Sequence, residues 1–324
     1  MFNDITICPD CQELSDISGA GKNRPWKQKK MQALRLADLY AEFDESKSER
    51  MKRCGDFLTF AREGEKLKLK QGMFCKIRLC PMCQWRRSRK IHTQMTNIMN
   101  VLQTQGEYVP IAVNPTVRNC QAEELPAEIT RLLRGWRKIW RDPLVEEKTV
   151  GWYRALEITY NRATKTYHPH LHCILIGQKH YYKRGQIPVE HIAGLWKKGC
   201  GIDYNANLKM YALRKKHDQD WAEAMLEFAK YTTPETWDIM PRDQADKQEL
   251  VGVAKTLDNA LRGRRLIGLG GELANLHHLL NLSDMEDGEE DWKPGDDIHT
   301  DEDFIRYVWR AGAYVVYNDE KSTT

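Results

Sequence analysis

The 324-residue sequence predicts an α+β protein, with a small metal-binding segment ahead of a larger mixed unit of strands and helices. Three observations carry this. Apolar residues recur at helical spacing in some stretches and alternate at strand spacing in others. Two strand-like runs, residues 151–160 and 167–176, flank a turn at 161–165 and read as an antiparallel hairpin. Cysteines cluster ahead of that hairpin, in a chain whose apolar fraction of 41% is ordinary for a globular protein.

The elements follow in order. Residues 1–50 form a polar arm with one helix, about 26–43, on which Leu34, Ala37, Leu39 and Tyr40 make a weak apolar stripe. Residues 51–95 are Cys- and Lys-rich and open with a strand at 57–60. A helix runs from Ile91 through Met95, Ile98, Met99 and Leu102 until Gly106 stops it. The main unit, residues 96–282, begins with a strand at 108–113. A basic helix follows at 128–141, with Leu132, Leu133, Trp136, Ile139 and Trp140 facing inward. Beyond the hairpin come a helix at 189–197, a strand at 208–214 and a helix from about 219, led in by Asp218 and ended by Pro234. Residues 283–303 are an acidic linker, and the apolar run 304–317 adds one more strand within a 304–324 tail. No internal repeat is present.

Charge is distributed unevenly. Residues 284–303 hold eleven acids and one lysine, a local charge of −10. The whole chain carries +4, so the remainder carries +14, a strong field for a polyanion. Lys76, Arg78, Arg86, Arg87, Arg89 and Lys90 follow one another without an intervening acid, which suits phosphate. No apolar stretch reaches about 18 residues and the first residues do not read as a signal peptide, so no membrane association and a cytoplasmic location are expected. Thiols stay reduced there, and the nine cysteines point to metal rather than disulfides.

Three constellations carry chemistry. In His168-Pro169-His170-Leu171-His172 a strand projects His170 and His172 to one face, and His168 can join them. Two imidazoles on a rigid strand bind a divalent ion once a carboxylate completes the shell, and Glu157 on the hairpin partner can supply it. Glu227 and Tyr231, four residues apart, lie one helical turn apart beside the stripe of Trp221, Met225 and Phe228. A phenol with a pKa near ~10 needs an activated electrophile to act as nucleophile at neutral pH. Cys80 and Cys83 form a two-residue knuckle for structural zinc, with Cys54 and Cys75 the nearest residues to close a tetrahedron and Cys8 and Cys11 a competing pair. Cys120, Cys173 and Cys200 stand alone as packing residues.

Taken together these segments resemble the plasmid rolling-circle replication initiators, the single-tyrosine branch of the HUH endonuclease superfamily. The likeness runs in order over most of the chain. It takes in Phe74-Cys-Lys-Ile-Arg-Leu-Cys-Pro-Met-Cys-Gln-Trp-Arg-Arg-Ser, the strand around residues 111–119, and Ala155-Leu-Glu-Ile-Thr-Tyr-Asn with Tyr167-His-Pro-His-Leu-His. Glu227-x-x-Lys230-Tyr231 and Arg264-Arg265-Leu-Ile-Gly-Leu-Gly-Gly complete it. Two positions depart from the family pattern. Pro115 interrupts the first strand and points to the sheet edge or an altered role, and Pro234 stands where a lysine is frequent, leaving Lys230 as the nearby cation.

The resemblance implies a central antiparallel sheet with helices packed on it. It implies Mg²⁺ or Mn²⁺ held by His170, His172 and Glu157, and a 5′-phosphotyrosine formed by Tyr231. Glu227 would activate water at termination. Single-stranded and supercoiled origin DNA, a host helicase and a host DNA polymerase are the implied partners, with Arg78, Arg86, Arg87, Arg89 and Lys90 on the DNA. A mobilisation relaxase or transposase of the same superfamily, and a non-catalytic zinc-dependent DNA-binding regulator, are the rival expectations.

Overall fold

A computed structural model describes residues 13–17, 21, 23–64, 66–178, 181, 185–213, 244–286 and 304–317. Its contacts divide the chain into two compact units, one from residues 1–83, 240–247 and 290–324, the other from 84–239 and 248–289. The described class is α+β, as expected. No described helix is long and apolar enough to cross a membrane.

The first unit holds helices α1 (Trp26–Tyr40) and α2 (Glu45–Lys52) and strands β1 (Phe57–Glu63), β2 (Lys66–Gly72), β8 (Phe304–Arg310) and β9 (Ala313–Val316). The strands make one antiparallel sheet in the order β2-β1-β8-β9. The last apolar run is therefore two strands instead of the single one expected, because Gly312 takes a positive φ of 82° and turns the chain back. Phe60 sets the core by meeting Trp26 and Tyr307 edge to face at 5.7 and 5.8 Å. Helix α2 has little apolar periodicity. It forms because Asp44 caps its first turn through Lys47 N, and Ser48 Oγ and buried Met51 tie it inward.

The second unit is built on a five-stranded antiparallel sheet in the order β6-β3-β5-β4-β7. Its strands are β3 (Val109–Asn114), β4 (Thr149–Asn161), β5 (Thr166–Gly177), β6 (Lys209–Ala212) and β7 (Ile267–Gly271). The β4–β5 hairpin pairs from Gly151↔Ile176 to Asn161↔Thr166. Asn161 Oδ1 closes its turn by accepting from Ala163 N and Thr164 N, and Lys165 takes a left-handed φ of 54°. On one face α3 (Pro81–Gln105) lays Ile91, Met95, Ile98, Met99 and Leu102 against Ala112, Tyr153, Ala155, Ile174 and Ile176. Helix α8 (Glu272–Leu279) adds Leu273 and Leu276 to the same cluster. On the other face α4 (Leu125–Trp140) brings Trp136 and Trp140 onto Trp152.

Beside α4 lie α5 (Pro143–Lys148) and α6 (Val189–Cys200), and α7 (Gln244–Leu261) approaches the hairpin end, where Tyr160 Oη donates to Glu249 at 2.9 Å. The late Arg/Gly segment becomes β7, paired to β4, and its Gly271 holds a φ of 59° at the start of α8. A Cβ there would collide with the Val150 carbonyl, so only glycine fits.

Several element ends shift by about three residues from expectation, and two larger differences bear on the site. Helix α3 starts at Pro81, ten residues before Ile91, since proline suits a first helical turn whose N–H has no partner. Strand β3 is interior, between β5 and β6, rather than at the edge that Pro115 suggested. It ends at Asn114, so the proline falls just past the ladder, and its carbonyl still accepts from Leu171 N at 3.2 Å.

Candidate functional site

The described residues hold two groups able to bind a metal ion, one in each unit. The first is Cys54, Cys75, Cys80 and Cys83, all buried and all free thiols. Cys54 sits in the turn after α2, Cys75 in the loop after β2, Cys80 just before α3, and Cys83 in its first turn. Lys76 at a φ of 58° bends the connecting loop, and Cys80 N donates to Ile77 O. The Cys54–Cys83, Cys75–Cys83 and Cys54–Cys80 sulfur pairs are each 3.6 Å apart. Zinc–thiolate bonds of about 2.3 Å in a tetrahedron put sulfurs roughly 3.8 Å apart, so the four thiols fit such an ion. Hydrogen bonding from Cys75 holds the Cys54 thiol well above the ordinary range, and burial does the same for Cys80. Only a cation would let them ionise together. Cys120, Cys173 and Cys200 are buried elsewhere, the first pushed up to about 11 and the last to about 12 by desolvation, as inert packing thiols are.

The second group is Glu157, His170 and His172. Glu157 stands directly across the hairpin from His170, which puts all three side chains on one sheet face. Glu157 Oε2 draws both imidazoles to one point, at 3.0 Å from His170 Nε2 and 2.6 Å from His172 Nε2. The neighbours in β5 on the opposite face, Pro169, Leu171 and Cys173, are buried and anchor the strand. Burial raises the Glu157 carboxyl, but its bonds to the two histidines outweigh that and hold it below the usual carboxylate range. A carboxylate ionised and aimed at two imidazole nitrogens is a donor set that a divalent cation fits.

His168 lies on the same face, its ring 5.2 Å from that of His170, but its Nδ1 pairs with Asn119 Oδ1 at 2.9 Å, and it falls outside the metal-capable group. Two neighbours escaped the sequence reading. Thr116 bridges to His170 from the β3 side. Asn114, at the end of β3, has a buried side-chain oxygen with no hydrogen-bond partner among the described residues. A lone Asn before Pro115 reads as a turn residue, so only the strand register reveals it.

The other expected residues are dispersed. Arg78 lies in the loop between Cys75 and Cys80. Arg86, Arg87, Arg89 and Lys90 follow on α3, where Arg87 Nε donates to Glu286 O at 2.8 Å and Arg89 sits 5.6 Å over the Trp85 ring. Lys90 is buried, only 5% exposed. Glu227, Lys230 and Tyr231, like the helix expected from residue 219 and Cys8 and Cys11, lie outside the described residues.

An α+β chain with a four-thiol cluster and a two-histidine, one-carboxylate site on an antiparallel sheet is thus defined. Its relatives say where it belongs. The family model described as "Replication protein" matches residues 66–315. A "Protein rep" of Bacillus amyloliquefaciens is 35% identical over 303 residues, covering 86% of this chain and 89% of that one. Another, of Lactiplantibacillus plantarum, is 33% identical over 311 residues, covering 93% and 94%. A third, of a Bacillus species, is 37% identical over 264 residues, covering 77% and 85%. No solved structure matches. The chain belongs to the replication protein family, and is of the plasmid Rep initiator kind.

Proposed function

We propose that this Rep protein starts rolling-circle replication of a plasmid by nicking one strand of its origin DNA and remaining covalently attached to the 5′ end. The observation that carries the reading is the convergence of Glu157 with His170 and His172 on one sheet face in a member of a replication family. The resemblance of Glu227-x-x-Lys230-Tyr231 to the single-tyrosine motif supplies the nucleophile.

In this mechanism the Tyr231 oxygen attacks the scissile phosphorus and forms a P–O bond. The bond to the 3′ oxygen breaks and that oxygen takes up a proton, leaving a 5′-phosphotyrosine and a 3′-hydroxyl that primes a host polymerase, with a host helicase opening the duplex. Mg²⁺ or Mn²⁺, when bound, lowers the barrier by withdrawing charge from the phosphoryl oxygens. Glu157 orients both imidazoles, and its low carboxyl pKa keeps it ionised at neutral pH. Lys230 offers a charge to the phosphate, and Glu227 serves as the base for water when the displaced strand is released. The four cysteines hold structural zinc, and Arg78, Arg86, Arg87 and Arg89 belong to the basic region that favours DNA, whereas Lys90, being buried, is no part of that surface.

The test incubates the protein with the supercoiled plasmid that encodes it, and with single-stranded oligonucleotides spanning candidate nick sites, in Mn²⁺. Nicked circles and protein bound to the 5′ end are expected. Tyr231→Phe should form no adduct while still binding DNA. DNA binding with no cleavage under any divalent ion would leave a non-catalytic zinc-dependent regulator instead.

A further inference from the structure

Two histidines and a carboxylate are three protein ligands, the number that suits tetrahedral zinc with one open position. Magnesium and manganese favour about six ligands, mostly oxygen. The trio alone therefore does not select between these ions, and the sheet offers one more oxygen.

Strands β3 and β5 pair in register from Val109↔Gly177 to Val113↔Cys173. The same register continues beyond Asn114. Pro115 O accepts from Leu171 N at 3.2 Å, and Thr116 bridges to His170. Asn114 therefore stands directly opposite His172, as Glu157 stands opposite His170 from the other side of β5. Ala112, two residues earlier, packs in the cluster with Ile174, which shares the His172 face. Alternation then puts the Asn114 side chain on the face of the trio. Opposed residues of an antiparallel pair have Cβ atoms about 5 Å apart, within reach of a shared ion.

The side-chain oxygen of Asn114 is buried, and no donor among the described residues serves it. Such an oxygen is costly to leave unsatisfied. Thr116, two residues past the end of β3 and also beside the trio, is engaged differently: its hydroxyl donates to Asn207 O at 3.2 Å.

We propose that Asn114 is the fourth protein ligand of the cation held by Glu157, His170 and His172, and that its amide oxygen tilts the site toward Mn²⁺ or Mg²⁺ and away from Zn²⁺. The inference rests on the divalent-ion reading given above. A neutral oxygen raises the coordination number and hardens the donor set without adding charge. Glu157 then contributes the single negative charge of the ligand set, so a divalent ion keeps net positive charge to draw a phosphate.

The experiment measures Mn²⁺ binding to the full chain by the electron paramagnetic resonance of free Mn²⁺, with the cysteine cluster already loaded with zinc. Wild type, Asn114→Ala, Asn114→Asp and His172→Ala are compared, and each is checked for folding by its thermal melt without Mn²⁺. Asn114→Ala should lose roughly tenfold or more in Mn²⁺ affinity, the scale seen when a metal site loses a supporting group. The same variant should need less Zn²⁺ to displace Mn²⁺. Asn114→Asp keeps the size, adds a charge and should bind Mn²⁺ at least as tightly as wild type. If Asn114→Ala binds Mn²⁺ as wild type does while His172→Ala loses it, three residues suffice and the Asn114 assignment is overturned with the cation site intact. If wild type takes up no Mn²⁺, the assignment falls together with the divalent-ion reading.

Discussion

Lys30 is fully buried, and its ammonium is held by the carbonyls of Lys52 and Cys54 and by Asp56 at 2.5, 3.0 and 2.6 Å. Two of these partners lie on the turn that carries Cys54, so the lysine on α1 positions one corner of the four-thiol cluster. Methionine matches its length but donates nothing. Lys30→Met should cost about 1–3 kcal/mol of stability and release zinc at a lower chelator concentration, read by a melt and a colorimetric zinc assay. Unaltered zinc retention would reduce Lys30 to a packing group. Cys83→Ser tests the cluster itself. Structural zinc contributes folding free energy directly, so metal analysis should fall from one zinc per chain to none and the melting temperature should drop. Wild-type protein purified without zinc would sink the assignment.

At the scale of elements, α4 and α6 approach closely because Gly135 leaves room. A Cβ there would run into Cys200 Sγ and the Trp196 ring. Gly135→Ala should therefore destabilise the second unit by about 1–3 kcal/mol, as overpacking does, while leaving Mn²⁺ affinity unchanged. A denaturant melt beside a Mn²⁺ titration separates the two, and an unchanged midpoint would mean the helices part freely. The same scale explains what the sequence made legible. The hairpin bearing Glu157, His170 and His172 is readable because β-branched and aromatic residues fill both strands, residues 166–172 alternate in and out, and turn residues separate the two. The cysteine set was readable from proximity in sequence, since three of the four lie within nine residues. Strand β2 is masked by its lysine content, although Lys66-Leu67-Lys68-Leu69-Lys70 alternates at strand period. Helix α2 carried no periodic signal, because a cap and a neighbouring helix make it. Asn114 stayed hidden for a different reason: its partner is 58 residues away in sequence, and only the register brings them level.

At the scale of the whole molecule, charge decides how the chain meets DNA, and the structure sharpens which acids can interfere. The acidic run begins inside the second unit, fastened by its first two acids. Asp284 pairs with Arg265 at 2.8 Å, and Glu286 accepts from Ile267 N at 2.8 Å. Arg87 Nε also donates to the Glu286 carbonyl. These two acids are engaged structurally, and removing them would expose the end of β7. Residues 287–303, nine acids and one lysine, carry the remaining −8. A tethered polyanion of that size competes with phosphate for the basic surface, and its effect weakens as salt shortens the Debye length to about 10 Å at 0.1 M. Replacing residues 287–303 by a neutral Gly/Ser linker of equal length should tighten non-specific DNA binding severalfold at low salt, with the gap closing as salt rises. The measurement is the affinity for a random-sequence oligonucleotide across a salt series, for wild type and the neutral-linker variant. Parallel salt lines with equal intercepts would mean that the charge of the run plays no part in DNA binding. Converging lines would mean that the protein carries its own competitor for the DNA it must find.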